Sequence, residues 1–324
     1  MDTKPFSFFV QQSLPDCAGT SKVLQRITAF AQDRPTPTSE RMAVPVLAVG
    51  RFNLAELCCV LTNFQAKLLA HTPSDLYLFS QNAHLVEDLQ AHNCSLDYSG
   101  MLAPGLGDSW HSPVHARDPK MWKAAFFPEA YRRMGHWRLT FQLDFAYRAG
   151  YPYVLQLDLD SFFPEPVKLN LVEHMKARGG SFGARHIGLR DSAEVTVGLA
   201  ELARYFIVTE DVQPTLLFEE DCLPNNISGL YSGNESHWLQ AGGYSRRNLS
   251  GNFLIVSTAF WQQRLVQRFL HLVLATGGHF RFRWNEQATM AMLWQMFCQR
   301  DALVLFTDDF PFKHKDGSCL ANSM

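Results

Sequence analysis

The chain has 324 residues, 47% of them hydrophobic and 19% charged, with a formal net charge of -2. This composition supports a sizeable core and excludes global disorder; the near-neutral charge excludes the basic excess of a nucleic-acid-binding protein. No apolar run reaches the roughly 20 residues of a membrane span, so no membrane span is expected in this chain.

The first residues, Met1 to Gln12, carry an apolar patch but neither the basic region nor the long apolar region of a signal peptide. Two compartments remain open: the cytoplasm, or the Golgi and secretory lumen if an anchor has been removed. Sequons at Asn93, Asn226, Asn234 and Asn248 favour the lumen weakly. The 7 Cys show no zinc-ligand spacing. Cys58-Cys59 lies in an apolar helical pattern and reads as core; disulfides among the other cysteines cannot be assigned from the sequence. The 25 Phe read as a large core rather than a sugar-stacking surface.

Residues 1–43 read as an N-terminal stem, with one short helix near Lys22 to Gln32 and a loop signal at Asp33-Arg34-Pro35-Thr36-Pro37. Residues 44–324 read as one domain. Its first strand is Val44 to Val49, closed by Gly50. Helical spacing follows over Leu54 to His71, a strand over Leu76 to Phe79, and a helix over Ala83 to His92. Strand alternating with helix predicts an α/β fold, a parallel sheet with right-handed crossovers flanked by helices. Pro128 to Ala149 is a long helical segment that runs into the apolar strand Tyr153 to Leu157. Helices are expected over Val167 to Arg178, Ala193 to Phe206, Phe260 to Ala275 and Asn285 to Cys298, and strands over Ser181 to Ala184, Phe253 to Val256 and Ala302 to Phe306. Pro214 to Asn248 is rich in Asn, Gly and Ser and reads as a long surface loop.

The strongest chemical signal is Asp158-Leu159-Asp160, where the apolar strand opens into a loop. Alternation along a strand puts residues i and i+2 on one side. Two carboxylates there offer hard oxygen ligands to Mn²⁺ or Mg²⁺, cations that also bind the diphosphate of a nucleotide sugar. The bland alternative is an ordinary polar turn after a strand.

Several short motifs occur in one order. Ser109-Trp110-His111-Ser112-Pro113 is similar to His-Trp-Ser-Tyr-Pro, and Ala130-Tyr131-Arg132-Arg133-Met134 to Ser-Tyr-Arg-His-Met. Asp158 and Asp160 fall where Glu and Asp stand in Val-Glu-Pro-Asp. Gly251-Asn252-Phe253 is similar to Ser-Asn-Phe, Gly277-Gly278-His279-Phe280 to Gly-Gly-Phe-Phe, and Arg283-Trp284-Asn285-Glu286 to Arg-Trp-Gly-Asp. In these stretches, over about residues 105 to 315, the chain resembles the fungal α-1,2-mannosyltransferases of glycosyltransferase family 15. The resemblance implies a GT-A fold, a GDP-mannose donor, Mn²⁺ and transfer with retention to a glycan acceptor. It implies donor contacts from Tyr131, Arg132, Asp158, Asn252, Arg283 and Trp284, metal ligation by Asp158 and Asp160, and catalytic roles for Glu201 and Glu286.

The chain departs from the family at Leu254, in place of a Glu, at Ser112, in place of a Tyr, and at Met290, in place of a metal-binding His. Many GT-A enzymes bring a C-terminal histidine to the metal, which makes His314 the substitute candidate. The departures leave two rivals open: the same fold with another GDP- or UDP-linked sugar, and a catalytically silent glycan-binding relative.

Overall fold

A computed structural model describes residues 18–319 other than 51, 114–115, 117, 124–126, 192–194, 217–245, 308 and 316–318. Helix α1 (Ala18–Gln32) precedes strand β1 (Met42–Ala48). Then come α2 (Leu54–Asn63), β2 (Ser74–Ser80), α3 (Leu85–Ala91) and the short β3 (Met101–Leu102). The long helix α4 (Glu129–Arg148) leads into β4 (Tyr153–Leu157), β5 (Ser161–Phe162), α5 (Leu171–Ala177), β6 (Phe182–Ala184), β7 (Ile187–Arg190) and α6 (Leu199–Glu210). Beyond lie β8 (Arg247–Leu249), β9 (Phe253–Ser257), α7 (Thr258–Trp261), α8 (Arg264–Ala275), α9 (Gly278–Arg281), α10 (Glu286–Phe297), β10 (Leu303–Leu305) and β11 (Lys313–His314).

The main sheet has seven strands in the order β10-β6-β9-β4-β1-β2-β3. β1 runs parallel to β2 and β4, and β9 runs antiparallel to β4 and β6. The β1–β4 ladder pairs only Met42 and Ala43, just ahead of Pro45, which has no N–H to give. Successive strand residues alternate between two cores. Ala43, Tyr77, Val154 and Leu254 face α1, α4, α8 and α10; Met42, Leu76, Leu155 and Ile255 face α2, α3 and α5. The result is a three-layer α/β/α arrangement, and both buried faces explain why the strands read as continuous apolar runs. The phenylalanines fill these cores, as where Phe79 meets Trp137 at 4.9 Å between ring centroids.

Several elements differ from the sequence reading. The expected helix over Leu54 to His71 is α-helical only to Asn63, then widens into a π-helical turn over Phe64–Leu69. The helix expected from Ala193 starts at Leu199, because Gly198 before it takes a left-handed φ of 81°. The helix expected over Phe260 to Ala275 is two, broken at Gln262 and Gln263. Most of the expected loop 214–248, including Asn226 and Asn234, lies outside the described residues. Its two ends are described. Leu216 N–H donates to the Gln295 carbonyl at 2.8 Å, and Arg247–Leu249 is a strand.

Cys58 and Cys59 are not core residues. Cys58 is half-buried and Cys59 exposed, and they form the disulfides Cys58–Cys94 and Cys59–Cys319. Periodicity placed them on an apolar helix; it carries no information about partners 36 and 260 residues away. Among the described residues, no helix is long and apolar enough to cross a membrane.

Candidate metal and nucleotide-sugar site

Strand β4 ends at Leu157, and Asp158 is the first residue beyond it. The turn that follows is fixed by backbone bonds. The Asp158 N–H donates to the Asn252 carbonyl at 3.4 Å, and the Ser161 N–H to the Asp158 carbonyl at 3.0 Å. The Ser161 hydroxyl donates to the same Asn252 carbonyl at 3.1 Å. Buried Asn63 clamps Phe163, its amide N–H donating to the Phe163 carbonyl and its Oδ1 accepting from the Phe163 N–H, each at 2.9 Å. β5 then pairs antiparallel with β11, with His314 opposite Ser161, and the Lys315 N–H donates to the Asp160 carbonyl at 3.0 Å.

This scaffold brings Asp158, Asp160 and His314 together, with ligand atoms all within 4.8 Å of one another. His314 Nε2 lies 3.1 Å from Asp160 Oδ1 and 4.0 Å from Asp158 Oδ2. Asp160 Oδ1 is buried and accepts no well-formed hydrogen bond. A buried carboxylate oxygen with no donor, beside a second carboxylate and an imidazole, fits a divalent cation such as Mn²⁺ or Mg²⁺. Met290, at the position of the histidine in the family the sequence resembles, is buried in the core on α10, and His314 is the third side chain beside the two aspartates.

Arg138 organises the inner side. It projects from α4 and is 4% exposed. One guanidinium nitrogen reaches Asp158 Oδ1 at 2.5 Å and the other reaches Glu286 Oε1 at 2.7 Å. Burial opposes the charge on Arg138, but the two carboxylates outweigh it and drive its pKa up, so it stays protonated. Asp158 and Glu286 thus share one guanidinium, while Asp160 stands beside His314.

The neighbouring wall joins Tyr131 and Arg283. Arg283 Nη2 donates to the Tyr131 hydroxyl at 2.8 Å, and its guanidinium stacks 3.7 Å from the Phe127 ring centroid. Arg283 has a left-handed φ of 62°, a conformation that costs a non-glycine residue energy and so marks a constrained position. Burial raises the Tyr131 pKa, Glu286 adds to the rise, and Arg283 opposes it. Asp191, just past β7, belongs to the same electrostatic neighbourhood. Burial pushes its carboxyl up, against the hydrogen bond from Asn248 and the charge of Arg283.

Three expected site residues stand elsewhere. Arg132 is buried and gives its guanidinium to backbone: the carbonyls of Phe127, Phe280 and Lys123 at 3.2, 2.6 and 2.7 Å. That occupancy makes it a tie between α4 and α9 rather than a phosphate ligand. Trp284 is buried, with its indole N–H donating to the Val197 carbonyl at 2.7 Å, so it is a core wall and not a sugar platform. Glu201 is exposed in the first turn of α6, and no ion pair or hydrogen bond ties it to the aspartates. Glu286 does join the cluster, but at 0% exposure it reaches the aspartates only through Arg138. Sequence reasoning passed over Arg138, whose signal was a charge between Trp137 and Leu139 inside a helix due to be buried.

No family model matches the chain, and no curated protein matches it in sequence. Solved structures do. The mannosyltransferase Ktr4p of S. cerevisiae in complex with GDP is 14% identical, with a TM-score of 0.64 over 91% of this chain and 80% of that one. Core-mannan synthase A (CmsA/Ktr4) of Aspergillus fumigatus, in its Mn/GDP form, is 14% identical, with a TM-score of 0.66 over 88% of this chain and 77% of that one. The chain therefore has the GT-A fold that these enzymes share, a mixed, mostly parallel sheet flanked by helices.

Proposed function

We propose that this chain is a metal-dependent glycosyltransferase that moves a sugar from a nucleotide-diphospho-sugar to a hydroxyl of a glycan acceptor. The observation that carries the reading is the convergence of Asp158, Asp160 and His314 outside the carboxyl end of β4. Open α/β sheets bind their ligands at that end. Asp158 Oδ2, Asp160 and His314 Nε2 are the residues that would hold Mn²⁺ or Mg²⁺. The bound cation would offset the charge of the departing diphosphate. Arg138 keeps Asp158 Oδ1 turned inward, which leaves Oδ2 facing His314. Tyr131, Arg283 and Asn252 are the donor-side contacts. GDP-mannose is the donor we favour, because two solved structures similar in fold are mannosyltransferases in GDP-bound form. The catalytic domain in this reading includes β1 from Met42 and helix α1, which packs on the same core, and the two disulfides suit an oxidising compartment such as the secretory lumen.

Retention of the anomeric configuration is the stereochemistry this reading favours. An inverting enzyme needs a general base aligned with the acceptor hydroxyl. Glu286 is paired with Arg138, and Glu201 makes no described contact with the aspartates, so neither of these two is placed as such a base; in a retaining transfer the departing phosphate would take the proton on the same face.

The test is hydrolysis of a panel of GDP- and UDP-linked sugars by the purified protein, with and without Mn²⁺. The reading expects Mn²⁺-dependent turnover of one donor, GDP-mannose foremost. Turnover of another donor alone would correct the donor. Binding of glycan with no turnover of any donor would replace the enzyme with a silent glycan-binding protein.

A further inference from the structure

The three candidate metal ligands stand on unequal supports. Asp158 and Asp160 follow a fully buried central strand. His314 sits on a C-terminal segment, the two-residue strand β11. Upstream, Phe312 packs on Phe163 with ring centroids 5.6 Å apart. Downstream, the described attachments are the Lys315 N–H to the Asp160 carbonyl at 3.0 Å and the disulfide from Cys319 to Cys59. A pairing two residues long is marginal by itself. The covalent bond reaches across 260 residues of sequence to α2, and α2 is in turn tied through Cys58 to Cys94 beyond α3.

We propose that the Cys59–Cys319 disulfide is the positioning device for the third metal ligand, holding β11 against β5 so that His314 stays beside Asp160. The inference rests on the metal site proposed above. A ligand on a loosely held segment contributes to affinity only in proportion to its local concentration at the site. A tail anchored five residues past the ligand keeps that concentration high. Adjacent helix positions point about 100° apart, at 3.6 residues per turn. The vicinal pair Cys58-Cys59 can therefore serve two separate segments, one of them the ligand-bearing tail.

The test uses the metal-free full chain and two measurements. The first is Mn²⁺ affinity by calorimetric titration of the wild type, Cys59→Ser/Cys319→Ser, His314→Ala, their combination, and Cys58→Ser/Cys94→Ser as the comparison pair. Loss of the tether should weaken Mn²⁺ binding about tenfold or more, the order seen when the support of a ligand is removed. It should add nothing in the His314→Ala background, and the comparison pair should bind as the wild type does. The second is hydrogen exchange at the amides of residues 313–315 without metal, which should speed up when the tether is lost. Should the tetherless variant fail to fold, the single substitution Cys319→Ser, which cuts the tether and keeps Cys58–Cys94, is used instead.

Wild-type Mn²⁺ affinity without the tether, while His314→Ala binds weakly, would overturn the tether and leave the metal site standing. An equal loss in the comparison pair, an added loss on top of His314→Ala, or unchanged exchange at 313–315 would overturn it as well. Wild-type affinity in His314→Ala would remove His314 from the metal site and the tether's role with it.

Discussion

Arg138 and Asp158, 20 residues apart in sequence, meet at 2.5 Å where α4 passes the end of β4. The same guanidinium also holds Glu286, 148 residues further along the chain. A carboxylate is thereby fixed at the mouth of the sheet by a group anchored in its interior.

Breaking this bridge from one side should be costly. Arg138→Met leaves Glu286 buried without its cation, and loss of one partner of a buried ion pair typically costs about 3–5 kcal/mol. Urea unfolding should show a drop of that order. The double substitution Arg138→Met/Glu286→Leu should recover much of it, because no uncompensated charge then remains in the core. A single variant as stable as the wild type would contradict the reading of the pair.

Glycine 278 should tolerate no side chain. A Cβ there would lie 2.1 Å from Trp284 Cε3, inside the indole ring system. Gly278→Ala should destabilise by about 1–3 kcal/mol or more, the cost of overpacking a core that cannot yield. Circular dichroism melting reads this directly, and an unchanged midpoint would show that Trp284 is free to move.

Stability should fall in mild acid. His279 is buried, which lowers its pKa, and its Nδ1–H donates to the Trp284 carbonyl. The unfolded chain takes up the proton near the ordinary value of about 6.5, whereas the folded protein resists it until a lower pH. Between those two values the unfolded state binds more protons, so stability declines as pH drops below about 6.5. His174, lowered by burial and by Arg178, adds the same sign. The denaturation midpoint of His279→Gln should depend less on pH across this window; an identical dependence would assign the effect elsewhere.

Much of this arrangement is legible in the sequence, for identifiable reasons. Strands β1, β2, β4 and β9 are buried on both faces and leave unbroken apolar runs. Asp158 and Asp160 announce themselves as paired charges at the end of one such run. What stays hidden depends on partners remote in sequence. The Asn63 clamp acts over 100 residues and the Cys59–Cys319 link over 260. β5 and β11 are two residues long and exist only through each other. Arg132 and Trp284 carry site chemistry in principle, but their motifs cannot tell that their polar atoms are already bonded to backbone carbonyls.

Stereochemistry offers a clean outcome. Under retention, Glu286→Gln should slow turnover yet leave measurable activity, because Glu286 acts on Asp158 through Arg138 and not as an in-line base, and Glu201→Gln, exposed and without contact to the aspartates, should turn over close to the wild-type rate. The product anomer, read by NMR against that of the donor, should be unchanged. An inverted product, or a nearly dead Gln variant with intact donor binding, would show that a dedicated base exists.

The most direct measurement is calorimetric titration of GDP into the wild type and Asp160→Asn, with and without Mn²⁺. Asp160 is partly exposed and at the mouth of the site, so its amide variant should keep the wild-type melting temperature. Wild type should bind GDP more tightly when Mn²⁺ is present, and Asp160→Asn should lose that Mn²⁺-dependent gain. Equal Mn²⁺-dependent GDP affinity in the two proteins would contradict the assignment of Asp158, Asp160 and His314 as the metal and diphosphate site.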